Sequence, residues 1–110
     1  MKELTSYKIH LNQQLTTNEI LNIHHYVANN ACDVYLHQNH LIADAGNVTK
    51  LLSFFLLADT QSPMKMIIDG ECVDHHYDQL SVLWEQRIEK CDLQTKYDHS
   101  TITNNISIVV

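Results

Sequence analysis

Residues 31–52, ACDVYLHQNHLIADAGNVTKLL, change periodicity twice, and the changes decide the fold. Cys32-Asp33-Val34-Tyr35-Leu36-His37 and Leu41-Ile42-Ala43-Asp44 are strand-like runs, and Gln38-Asn39 between them supplies an asparagine that tolerates positive φ. Together they predict a hairpin. After a break at Gly46, residues 47–57 (NVTKLLSFFLL) are apolar over a length that suits a short helix packed at the end of a sheet better than another strand.

Working outward, Pro63 opens Met64-Lys65-Met66-Ile67-Ile68-Asp69, in which Met64, Met66 and Ile68 share one side. This predicts a fourth strand closed by a turn at Gly70. A third helix is predicted over roughly 74–90, with Asp74 as its N-cap, an apolar stripe of Tyr77, Leu80, Leu83, Trp84 and Ile88, and Arg87 and Lys90 near its C-terminal end. Upstream, residues 5–12 alternate Tyr7, Ile9 and Leu11 with Ser6, Lys8 and His10, the period of a half-buried strand. Ile20, Ile23, Val27 and Ala28 then form a helical stripe, predicting a helix over roughly 17–29 that ends at Asn29-Asn30. The order is β-α-β-β-α-β-α. Segregated helices on one face of a mostly antiparallel, four-stranded sheet give an α+β open-faced sandwich. Residues 93–110, with strand formers at 101–103 and 106–110, are expected to be a separate C-terminal tail, an extra hairpin or an edge strand beyond a domain at 1–92.

Composition narrows the function classes. A chain of 110 residues fits one domain. The formal charge is -6, and the seven Lys and Arg are scattered, which disfavours a nucleic-acid partner. Three cysteines, Cys32, Cys72 and Cys91, form no C-x-x-C pair and read as reduced thiols: Cys32 as a core residue, Cys91 as an exposed, oxidisable one near a helix end. The N-terminus MKELTSYKIH has no apolar signal region, and no apolar run is long enough to span a bilayer. A cytoplasmic protein with no membrane association is expected.

The element order, the segment 31–52, the string MIIDGE at 66–71 and the closing helix together resemble HPr, the histidine-containing phosphocarrier family of the sugar phosphotransferase system, over about residues 5–90. The resemblance implies an HPr-like fold. It also implies where the chemistry should lie, and there the chain departs from the family. The family's seam between first strand and first helix, approximately G-[IL]-H-A-R-P-A, falls on Gln14-Leu15-Thr16-Thr17-Asn18-Glu19-Ile20. Thr16 stands where the phosphorylatable histidine should be, Asn18 replaces the arginine, and Glu19 the proline. The regulatory serine at the start of the second helix falls on Asn47, which cannot accept a phosphate. Val48, Thr49 and Leu52 fall on the family's partner-docking patch. The resemblance therefore implies a degenerate, non-catalytic member with no cofactor, whose partner is another protein.

The residues of the seam have their own physical reading. Thr16-Thr17-Asn18-Glu19 matches the capping box, in which Thr16 accepts from the N3 amide and Glu19 reaches back to the N-cap N–H. The glutamate then occupies the positive helix end that a phosphoryl group would need.

Eight histidines leave two rival readings open. One is a phosphocarrier using a different histidine, such as His10, His24 or His25. The other is a metal-binding module: if the first and third helices lie side by side, His24 or His25 approaches His75 or His76, with Asp74 or Asp78 completing a set. Solvated or locally bonded histidines are the bland alternative, and His37 and His40 flank a turn where exposure is expected. The run Leu51, Leu52, Phe54, Phe55, Leu56 and Leu57 exceeds what one face of a short helix buries, so about two of its side chains should be exposed. The strand-forming tail adds the expectation of a homodimer by strand addition or swapping.

Overall fold

A computed structural model describes residues 2–98, and the strand formers at 101–110 lie outside the described residues. The elements are β1 (Lys2–Leu11), α1 (Thr17–Asn29), β2 (Cys32–Gln38), β3 (Leu41–Asp44), α2 (Val48–Leu57), β4 (Met64–Glu71), α3 (Val73–Trp84), a 3-10 turn (Glu85–Arg87) and β5 (Ile88–Asp98). The class is α+β, with three helices and one antiparallel sheet in the order β3-β2-β4-β1-β5. The sheet has five strands where four were expected.

Alternation along the strands builds the core. Tyr7, Ile9 and Leu11 of β1, Val34 and Leu36 of β2, and Met64, Met66 and Ile68 of β4 are buried. They meet Ile20, Ile23 and Val27 of α1, Leu51, Phe54 and Phe55 of α2, and Val73, Leu80 and Trp84 of α3 in one cluster. The predicted bounds of α1, the hairpin and β4 agree with the structure to within about two residues. At the hairpin tip Asn39 has φ 54°, the left-handed conformation that its short polar side chain tolerates. Buried Gln38 fixes the loop after α2, donating to the carbonyls of Asp59 (2.7 Å) and Ser62 (3.1 Å) and accepting from Asp59 N–H (2.7 Å).

Four expectations near the C-terminal half are corrected. Gly70 does not close β4 with a turn. It lies in the ladder opposite Glu3 and Cys32, where an added Cβ would sit 2.9 Å from the Ala31 carbonyl oxygen. The turn falls at Cys72, which has φ 54° and serves as N-cap of α3 with no side-chain cap bond, so Asp74 is a first-turn residue and not the cap.

Helix α3 ends at Trp84 and not near 90. Ile88 fits an i+4 helical stripe after Trp84, but it pairs with Leu11, and residues 88–98 take the free edge of β1 instead. The row of unpaired N–H and C=O groups on that edge supplies the driving force that overrides local periodicity. The boundary expected at 92/93 thus falls inside a continuous strand, and Leu93–Asp98 belongs to the edge strand that was one reading of the tail.

Candidate functional site

The seam between β1 and α1 is the site to which the sequence assigns chemistry, and its side chains close it. Thr16 is the N-cap, in extended conformation with φ −74° and ψ 161°. Glu19 N–H donates to Thr16 Oγ1 at 3.2 Å, and Thr16 N–H donates to Glu19 Oε1 at 2.7 Å, the two halves of a capping box. Asn18 and Thr17 are exposed beside it.

One participant was not legible in the sequence. Arg87, expected on α3, sits in the 3-10 turn, and its Nε donates to Glu19 Oε1 at 3.1 Å and Oε2 at 3.2 Å. Asn18 stands where the resemblance expects an arginine, yet a guanidinium reaches this helix end from Arg87, already engaged by the carboxylate. Partial burial pushes the Glu19 carboxyl upward, but the bonds from the Thr16 backbone and hydroxyl and from Arg87 outweigh it and hold the group below its ordinary value. The seam thus presents a satisfied carboxylate where an incoming anion would need free donors.

Asn47 is likewise a cap. Its Oδ1 accepts from Lys50 N–H at 3.1 Å and starts α2. Of the three expected docking residues, Leu52 lines a hollow of about 320 Å³ between the start of α1 and α2, with Leu15, Ile20, Phe55 and Leu56. Thr49 lines a second hollow of about 250 Å³ on the other side of α2, with Leu41, Ile42, Phe54 and Leu57. Val48 is half-buried and lines neither. Between the two hollows Leu56 and Leu57 are 80 % and 66 % exposed, the two side chains in excess of one buried face.

The histidines divide. Helices α1 and α3 do pack together, but what meets across them is Tyr26 and His76, with the Tyr26 hydroxyl 2.7 Å from His76 Nδ1. His76 is buried, and burial followed by the neighbouring His75 holds its pKa below the ordinary value. His24 turns away, with Nδ1 2.9 Å from the Ala45 carbonyl oxygen, while His25 and His75 are exposed. Among the described residues no group of three His, Cys, Asp or Glu side chains could hold a metal ion. His37 and His40 are exposed, as expected at a turn.

Cys32 is buried in the core, as read. Cys91 is corrected: it lies on β5, half-buried and bonded to Tyr77, and burial raises its thiol pKa, which disfavours the reactive thiolate. Tyr77 stacks on Tyr7 with centroids 4.2 Å apart, and burial, with smaller contributions from Asp74 and other acidic neighbours, pushes Tyr7 up to about 12, so that pair stays neutral at ordinary pH.

No protein-family model, no curated protein and no solved structure significantly matches this chain. Among the described residues, no helix is long and apolar enough to cross a membrane.

Proposed function

We propose that this chain is a non-catalytic protein-binding or regulatory module of the cytoplasm, laid out like an HPr domain that has given up phosphocarrier chemistry. Residues 2–84 follow the element order β-α-β-β-α-β-α, which supports the resemblance. Thr16, Asn18 and Asn47 stand at the positions where the resemblance places an active histidine, its arginine and a regulatory serine, and two of the three are occupied as helix caps.

The observation that carries the binding role is the α2 surface: Leu56 and Leu57 are exposed on a helix flanked by two apolar hollows, next to a sealed helix end. Contiguous apolar surface of this kind serves recognition more often than chemistry.

Two measurements test the reading. Incubation with the phosphoenolpyruvate-dependent phosphotransfer system should leave no acid-labile phosphate on the chain, and label on His10, His24 or His25 would overturn the proposal. A photo-crosslinking residue at position 56 should capture a discrete protein in cells, and Leu57→Asp in the same chain should abolish the capture without lowering thermal stability. Crosslinking no stronger than from exposed Gln79 refutes the assignment of this surface.

A further inference from the structure

The sheet face turned away from the helices carries a pattern that the α2 surface does not explain. Along β4 that face presents Lys65, Ile67 and Asp69, and along the antiparallel neighbour β2 it presents His37, Tyr35 and Asp33 in the same order across the sheet. The pairings Lys65↔His37, Ile67↔Tyr35 and Asp69↔Asp33 make three rows: a basic one, an apolar one and an acidic one. On β1, Lys8 extends the basic row, buried Ser6 the middle one and Leu4 the acidic one, while on β3 Ile42 stands beside His37 and Asp44 beside Tyr35. His10 and Lys90 pair just beyond the basic row, and on β5 Asp92 stands opposite Lys8 with its carboxylate 3.5 Å from Lys90 Nζ, so Lys65, Lys8 and His37 carry the positive end.

The two charged ends are physically separate. Lys8, His37 and Lys65 line one hollow of about 170 Å³, and Asp33, Asp44, Asp69 and Glu71 line another of about 660 Å³. Partial burial, and then the combined field of Asp33, Asp44 and Asp69, raises the Tyr35 hydroxyl pKa, showing how close the carboxylates stand to the middle row. Lys65 and Asp69 are four residues apart, about 13 Å along the strand. Lys8, Lys65 and Lys90 are three of only seven Lys and Arg in a chain of formal charge -6, and all three lie toward one end of this face.

We propose that this face docks a second copy of the chain, sheet on sheet, about a two-fold axis running along the middle row. Such an axis brings Lys65 of one copy over Asp69 of the other, His37 over Asp33, and Ile67 and Tyr35 over their own counterparts. The pattern K-x-I-x-D on β4 and D-x-Y-x-H on β2 is self-complementary only under this operation, which is what an isologous dimer requires. Aligned sheets pack within about 30° of each other, so the rows stay in register over the two central strands. Five strands at about 4.8 Å spacing and about six residues of strand length make a face roughly 20 Å square. Two such faces give roughly 800 Å², below the about 1,200 Å² total of a standard specific interface, so the dimer is weak and its affinity rests on the charged rows.

The test uses the full chain in sedimentation equilibrium. Wild type should self-associate at low salt, and high salt should weaken that association by more than about tenfold. Lys8→Glu/Lys65→Glu and Asp33→Lys/Asp69→Lys should each be monomeric at low salt, with circular dichroism unchanged. Mixed together, they should form a one-to-one heterodimer, because β4 then carries acid at both ends in one chain and base at both ends in the other, so each reversed position meets its opposite. A wild type that stays monomeric at low salt, a dimer that survives either charge reversal, or reversed chains that fail to pair on mixing would overturn the proposal.

Discussion

Replacing Glu19 with alanine separates a sealed helix end from an anion site. The substitution removes the bond from Thr16 N–H and the pairing with Arg87, and it takes a negative charge from the first turn of α1. A capping interaction of this type contributes about 0.5–1 kcal/mol. The two side chains are 23 % and 20 % exposed, so solvent screening holds the ion pair to about 0.2–1 kcal/mol, and the dipole adds about 0.3–1 kcal/mol. The expected loss is therefore about 1–3 kcal/mol, which for a chain of this length lowers Tm by about 4–12 °C.

Because the folded-state carboxyl is held below its ordinary value of 4.5, this stabilisation is fully present above that pH and is lost as pH falls through the depressed value. The variant should accordingly lose less stability in acid than wild type. The sharper readout is phosphate. With Glu19 gone, the guanidinium of Arg87 and the first amides of α1 are free, and phosphate should raise the Tm of Glu19→Ala while leaving wild type unmoved. Equal stabilisation of both proteins by phosphate, or a loss below about 0.3 kcal/mol in urea unfolding, refutes the view that the carboxylate closes this site.

Three further outcomes follow from single residues. Gln38→Leu strips three hydrogen bonds from a buried side chain and leaves the Asp59 N–H and two carbonyls to find other partners, so urea unfolding should show a loss of about 2–3 kcal/mol. Gly70→Ala drives a methyl to within 2.9 Å of the Ala31 carbonyl at φ 157°, and thermal unfolding should show at least about 2 kcal/mol of destabilisation from backbone displacement between β2 and β4. Burial, with the neighbouring His75, lowers the pKa of His76 in the folded state. The unfolded chain takes up the proton first, so stability should fall as pH drops below the ordinary value of 6.5, and His76→Phe should flatten that part of the profile measured by chemical denaturation.

What the sequence disclosed was set by local chemistry. The capping box at Thr16 and Glu19, the asparagine at the hairpin tip and the surplus apolar run of α2 are short-range signals, and each appears where the residues place it. Apart from the N-cap of α3, which fell at Cys72 two residues before Asp74, the failures below are cases in which a distant partner decided. Ile88 satisfied a helical period and a strand equally well, and only the open edge of β1 chose between them. Gly70 looked like turn punctuation, yet the close passage of Ala31 and Cys32, remote in sequence, is what requires it. The meeting of the histidine doublets was conditional on α1 and α3 packing side by side; the helices do so, but helical phase turned Tyr26 rather than His24 toward His76.

The fifth strand and the closed seam are one device. The pairing of Leu11 with Ile88 and the bond from Asn12 N–H to the Arg87 carbonyl at 2.8 Å fix the turn before β5 against the end of β1, a few residues from the N-terminus of α1. A side chain at position 87 is thereby delivered to the seam by the register of the edge strand. A lone arginine there would convert the positive helix end into an anion trap, since donors and dipole would point the same way. Glu19 cancels that field and at the same time ties β5 to α1. The same two-residue contact thus anchors the edge strand and keeps the Arg87 guanidinium engaged by a carboxylate. Arg87→Ala should therefore loosen β5, seen as faster amide exchange at residues 88–94, whereas Asn18→Ala, exposed beside the same seam, should not.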